Sequence, residues 1–182
     1  MTFRDTFRSL LLTITLIAAS SNLVIAQNQK PCEGPEYSLL DFWVGDWSLT
    51  WGNNLKGTNK VHKAMDGCVV QENFNGNPGI PNYMGKSFST YDKTDKTWKQ
   101  VWIDNTGGWL DFTGKKVEEE VHFTRMISVK GVATLQRMRF YNITFRSFDW
   151  AWESSTNNGQ TWKTNWAIHY DRVSNSAASK SE

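Results

Sequence analysis

From Asp46 to Arg172 the chain is a series of short runs in which apolar and polar residues alternate, each run broken by turn-forming residues. Successive side chains on a β-strand point to opposite faces, so a two-residue period means that one face of each run is apolar. The run from Trp98 to Asp104 puts Trp98, Gln100, Trp102 and Asp104 on one face and Lys99, Val101 and Ile103 on the other. Between Phe145 and Glu153, Arg146, Phe148, Trp150 and Trp152 share a face opposite Ser147, Asp149, Ala151 and Glu153. In the last run Trp162, Thr164, Trp166, Ile168 and Tyr170 oppose Lys163, Asn165, His169 and Asp171. The aromatic faces are the expected interior, because an indole hides about 150–250 Å² of surface when buried.

The alternation predicts ten strands: 46–51, 58–65, 68–74, 85–91, 98–104, 109–113, 117–126, 133–142, 145–154 and 162–172. Gly52-Asn53-Asn54 and Asp66-Gly67 close the first two, and Asn157-Asn158-Gly159 is a strong hairpin signal, since Asn and Gly accept the positive φ of tight turns. The loop from Asn75 to Pro81, with two glycines and two prolines, cannot hold a strand ladder. Glu36 to Trp43 is expected to form a short helical lid. Ten meandering strands without room for crossover helices give an antiparallel sheet, and closing it into an up-and-down barrel removes its edges. A β-sandwich is the competing architecture. A barrel of this size keeps an interior able to hold one small ligand.

The ends are not part of that fold. Arg4 and Arg8 precede the apolar run Leu10 to Ala19, and Val24-Ile25-Ala26 follows. A basic start, a short apolar run and small residues describe a secretory signal peptide over residues 1–26. Ser20, Ser21 and Asn22 interrupt the run short of the roughly 20 apolar residues a bilayer span needs, so no stable membrane anchor is expected. The barrel domain is then 27–173, with a disordered tail at 174–182 and a polar leading segment at Gln27–Gly34, and the protein is exported, to the periplasm or beyond. Removing the leader leaves 18 basic and 17 acidic residues, scattered along the chain, which argues against a nucleic-acid partner. Cys32 and Cys68 are an even pair in an oxidising compartment and are expected to form a disulfide. Closing a loop of that length stabilises by about 3–4 kcal/mol on the chain-entropy account. Nothing in the sequence distinguishes a monomer from a homodimer.

Several segments carry a resemblance. Leu40-Asp41-Phe42-Trp43-Val44-Gly45-Asp46-Trp47, Gly57-Thr58-Asn59, Gly67-Cys68-Val69-Val70-Gln71-Glu72, Trp98 to Asp104 and Gly159-Gln160-Thr161-Trp162 resemble a bacterial family of exported, calycin-like proteins of unknown function. The likeness covers nearly the whole processed chain. It implies a barrel of the lipocalin or fatty-acid-binding type and supplies no catalytic residue. A more distant likeness is to nitrobindin, a ten-stranded haem barrel, which would require a proximal His. His62, His122 and His169 are available, but no motif singles one out, so no cofactor is assigned. In the Phe42 to Trp47 motif, Gly45 permits a tight bend into the first strand, and Phe42, Trp43 and Trp47 can plug one end of a barrel or form the floor of a pocket.

These features point to a small-molecule partner, a largely apolar or aromatic ligand in a Trp-lined cavity. The candidate contacts are Trp43, Trp98, Gln100, Trp102, Asp104, Arg139, Trp150, Trp152, Trp166 and Tyr170. No nucleophile elbow is present, and no His or carboxylate spacing suggests a metal site. A buried carboxylate such as Asp104 or Glu72, paired with Arg139 or a His and raised in pKa, is the basis of an alternative reading as a lyase, isomerase or hydrolase. Carbohydrate binding is a second alternative, because indole faces stack on pyranose rings, and it calls for Trp residues on an exposed face. Asn142-Ile143-Thr144 is a glycosylation sequon, meaningful only in a eukaryotic secretory pathway.

Overall fold

A computed structural model describes residues 31–174. The expected signal peptide, and the expected tail from residue 175 onward, lie outside the described residues. Ten antiparallel strands follow one another in chain order: β1 (Gly45–Trp51), β2 (Leu55–Ala64), β3 (Val69–Asn75), β4 (Met84–Asp92), β5 (Thr97–Asp104), β6 (Trp109–Val117), β7 (Glu120–Val129), β8 (Val132–Tyr141), β9 (Ser147–Ser155) and β10 (Lys163–Arg172). Each pairs with its sequence neighbours, and β10 returns to β1, so the sheet is a closed up-and-down barrel. The expected all-β barrel is therefore the fold, and the sandwich is excluded.

The interior follows the alternation. Trp47, Leu49 and Trp51 on β1, Asn59 and Val61 on β2, Val70, Glu72 and Phe74 on β3 and Phe148 on β9 are all buried. One prediction fails locally. The register of β10 against β9 shifts between Thr164 and Trp166, so the parity of the last strand is broken there. Trp166, Ile168 and Tyr170 remain inside, whereas Thr164 pairs with Glu153 and Trp162 lies under the Arg137 guanidinium, 3.9 Å from ring centroid to Cζ, on the outer wall. A bulge adds one residue to a strand and turns everything beyond it to the other face.

The segment before β1 forms the expected short helical lid. It makes two short 3₁₀ turns, Pro35–Ser38 and Asp41–Trp43, and plugs the end of the barrel where β1 begins. Trp43 and Phe42 meet Phe140 edge-on at 5.2 and 5.8 Å, and Leu40 is fully buried. Arg172, near the end of β10, locks the plug: Nη1 donates to the Val44 carbonyl and Nη2 to the Phe42 carbonyl, at 2.7 and 2.9 Å, while Nε reaches the Phe145 carbonyl. Its guanidinium lies 4.2 Å from the Trp47 ring centroid. Gly45, with φ at +144°, admits this arrangement, because a Cβ there would overlap the Arg172 guanidinium. The Cys32–Cys68 disulfide ties the leading segment to the start of β3.

Candidate functional site

The plugged end and the ten walls leave a cavity of about 320 Å³ in the barrel. This lies at the small end of the range for ligand pockets. Eight of the ten residues singled out in the sequence line it: Trp43, Gln100, Trp102, Asp104, Trp150, Trp152, Trp166 and Tyr170. Trp98 and Arg139 do not. Trp98 is inside the barrel but lies toward the plug, its Nε1 donating to the Glu36 carbonyl, and parity carries no information on depth. Arg139 alternates with the inward Met138 and Phe140 and so faces outward, against Tyr141 and near Glu120 and Glu153.

The cavity is aromatic along most of its wall and polar at two places. Deep inside, Glu72 reaches in from β3, where it is buried between two donors. Asn59 on β2 donates through Nδ2 to Oε1, and Ser87 on β4 donates through Oγ to Oε2, both at 2.6 Å. Burial pushes the Glu72 carboxyl up to about 7, against the opposing effect of these two hydrogen bonds. Asn59 Nδ2 also approaches the Tyr170 hydroxyl at 3.5 Å, and burial followed by the field of Glu72 raises the Tyr170 phenol. Two polar atoms in this region, Trp43 Nε1 and Asn59 Oδ1, are buried without a partner among the described residues. Higher up, Gln100 donates to Ser89 Oγ at 2.8 Å.

Asp104 sits at the other polar place, where β5 turns toward β6. Its Oδ1 accepts from the Thr106 amide and hydroxyl and from the Gly108 amide, and Oδ2 accepts from Trp102 Nε1 and the Tyr83 hydroxyl. Partial burial raises the pKa, yet the donors outweigh it and hold the carboxyl below the usual range. Asp104 is thus an ionised organiser of its loop, which overturns the expectation of a raised pKa at this position. The raised carboxyl is that of Glu72, and it is paired with neither Arg139 nor a His. Burial and the neighbouring Asp104 push the Tyr83 phenol up to about 12.

Wall residues outside the predicted set complete the lining, among them Phe74, Tyr83, Leu110, Phe112, Met138 and Phe140. Alternation marks Phe74, Phe112, Met138 and Phe140 as inward, so they were within reach of the sequence; Tyr83 belongs to the loop before β4, which has no period to read. A glycine also shapes the cavity. A Cβ at Gly85 would overlap the Trp102 ring, so the small residue on β4 is what lets that indole lie flat against the wall.

All three histidines are on the outer wall. His62 is exposed on β2, His122 pairs with Glu120 at 2.7 Å, and His169 is held between Asp149 and Asp171 at 2.7 and 3.3 Å. The residues around the cavity therefore do not fit a His-ligated haem. Among the described residues no group of three or more His, Cys, Asp or Glu side chains could hold a metal ion. Fold and site together define a closed ten-stranded barrel with an aromatic lumen into which a buried, titratable acid, Glu72, projects. Neither a protein-family model nor a curated protein matches the chain.

Proposed function

We propose that this is an exported barrel that binds a small, largely apolar or aromatic ligand in its Trp-lined lumen. The observation that carries the reading is the cavity itself: about 320 Å³ left open inside a barrel that could have been filled by its own side chains. Five indoles, Trp43, Trp102, Trp150, Trp152 and Trp166, supply flat apolar surface, while Glu72, Gln100 and Tyr170 supply the few polar contacts that orient a ligand. The leader-like first 26 residues and the disulfide support export. The resemblance to exported calycin-like barrels supports both parts.

Titration of the protein's tryptophan emission with haem, fatty acids, aromatic metabolites and oligosaccharides tests the reading. One class should give a saturable change that Trp102→Leu and Trp152→Leu weaken. If these replacements leave all binding unchanged, the lumen is not the site. A second reading, an enzyme of small molecules, is favoured by Glu72, whose carboxyl near neutrality could give or take a proton within the cavity. Glu72→Gln tests this second reading, since an enzyme that uses this carboxyl loses turnover of its substrate while the barrel stays folded. Carbohydrate binding has less support, because most indoles face the interior, with Trp109 the strongly exposed exception.

A further inference from the structure

The closed barrel has a gap in its hydrogen-bonded ladder on one side. The ladder between β6 and β7 runs only from Thr113 opposite Thr124 to Val117 opposite Glu120. Beyond it Trp109–Phe112 stay paired with β5 and Arg125–Val129 with β8, so the two strands diverge toward the end opposite the plug. A depression of about 610 Å³ lies on the outer wall at this divergence. Gln100 and Phe112 border both it and the lumen, whereas Arg125 borders the depression.

Arg125 is the first β7 residue past the last paired position, and it shares the inward parity of Val121 and Phe123. Its guanidinium carbon lies 5.3 Å from the Phe112 ring centroid and 5.8 Å from that of Trp152, both lumen-lining residues. Nε donates to Gln136 Oε1 at 2.8 Å, and the two Nη groups have no protein partner among the described residues. Asp111, on the adjacent β6, is the acidic group close enough to act on Arg125, and it stands outside ion-pair distance. The barrel thus holds a half-buried cation, stacked on the aromatic wall, with its two Nη groups unspent. A planar guanidinium in that state recognises carboxylates and other oxyanions through two parallel hydrogen bonds.

We infer that the ligand of this lumen is an amphipathic anion whose apolar or aromatic body lies among the indoles and whose carboxylate or related oxyanion passes the Gln100 and Phe112 side chains to be held by Arg125 at the β6–β7 gap. The inference rests on the ligand-binding reading and narrows it to a chemical class. Anchoring at the gap leaves the anionic group partly solvated, so only the apolar body is withdrawn from water.

Two fluorescent probes with the same rings test it: 1-anilinonaphthalene-8-sulfonate, an anion, and N-phenyl-1-naphthylamine, its neutral counterpart without the sulfonate. Each is titrated into the purified protein and into Arg125→Gln and Arg125→Lys, whose folding is checked by thermal melting. The expected result is one saturable site in which the preference for the anion over the neutral probe falls by about tenfold or more in Arg125→Gln, and recovers in part in Arg125→Lys, which keeps the charge and loses the fork. Added salt should weaken the anion and spare the neutral probe. Binding of both probes with an unchanged ratio in Arg125→Gln overturns the inference and leaves a binding lumen standing. Failure of the unaltered protein to bind either probe removes the lumen reading, and the inference with it.

Discussion

Replacing Glu72 by Gln should abolish a pH dependence that the buried acid imposes on stability. In the folded barrel the carboxyl titrates near 7 because burial disfavours its charge, whereas in the unfolded chain it titrates at the ordinary value of 4.5. A folded pKa above the unfolded one means that the native state holds its proton more tightly. The stabilisation is therefore whole below about pH 4.5, declines as the pH rises toward 7, and is gone above it. At 1.36 kcal/mol for each unit, the difference amounts to about 3 kcal/mol, or roughly 6–12 °C in melting temperature for a domain of this size. Gln keeps the volume and can still accept from Asn59 while Ser87 turns to accept from its amide. Urea unfolding of both proteins across the range from about pH 4.5 to about pH 8 reads the effect as a difference, so that surface groups such as His169 cancel. Glu72→Gln should gain steadily on the parent as the pH rises. A difference in stability that stays constant over the range would refute the buried-acid account.

Other expectations follow from the packing. Gly85→Ala should push the Trp102 ring off the wall and away from Asp104, at a cost of about 1–3 kcal/mol by urea unfolding and with a shift in tryptophan emission. Arg172→Ala removes two hydrogen bonds to the plug, one to the Phe145 carbonyl and the contact with Trp47, and should lower stability by about 2–4 kcal/mol; Arg172→Lys should recover less than half. Changing both Cys32 and Cys68 to Ser opens a loop of 36 residues and should cost about 3–4 kcal/mol, measurable as the same drop on reducing the parent protein.

Much of this architecture is legible in the sequence because a two-residue period with one buried face leaves little freedom. Once Trp98, Gln100 and Trp102 share a face, and Trp150 shares one with Trp152, closing the sheet places those faces inside. What the period cannot carry is height along the barrel axis, and this is why Trp98 and Trp102, on one face of one strand, end at the plug and in the cavity respectively. Nor does it announce an inserted residue: the bulge after Thr164 reverses Trp162 and Thr164 with no local signal. Arg139 was excluded by its own neighbours, since Met138 and Phe140 on either side are apolar and inward. Glu72 and Asp104 look equivalent as acids on inward faces. Their opposite ionisation depends on the full burial of Glu72, which outweighs its two donors from β2 and β4, and on the donors that the turn after β5, Trp102 and Tyr83 bring to Asp104.

The seam between β1 and β10 has a consequence for how the molecule is made. Its pairs, such as Trp47 with Arg172, join residues from opposite ends of the domain, and Val173 donates back to the Asp46 carbonyl. Local hairpins from β1–β2 to β9–β10 can form as their sequence emerges, but the seam waits for the final strand. Until then both flanking strands offer unpaired backbone to any neighbouring chain. Contacts so distant in sequence slow folding, and open edges invite aggregation. A polypeptide arrested before Lys163 would keep nine strands' worth of pairing instructions and have no way to stop being a sheet.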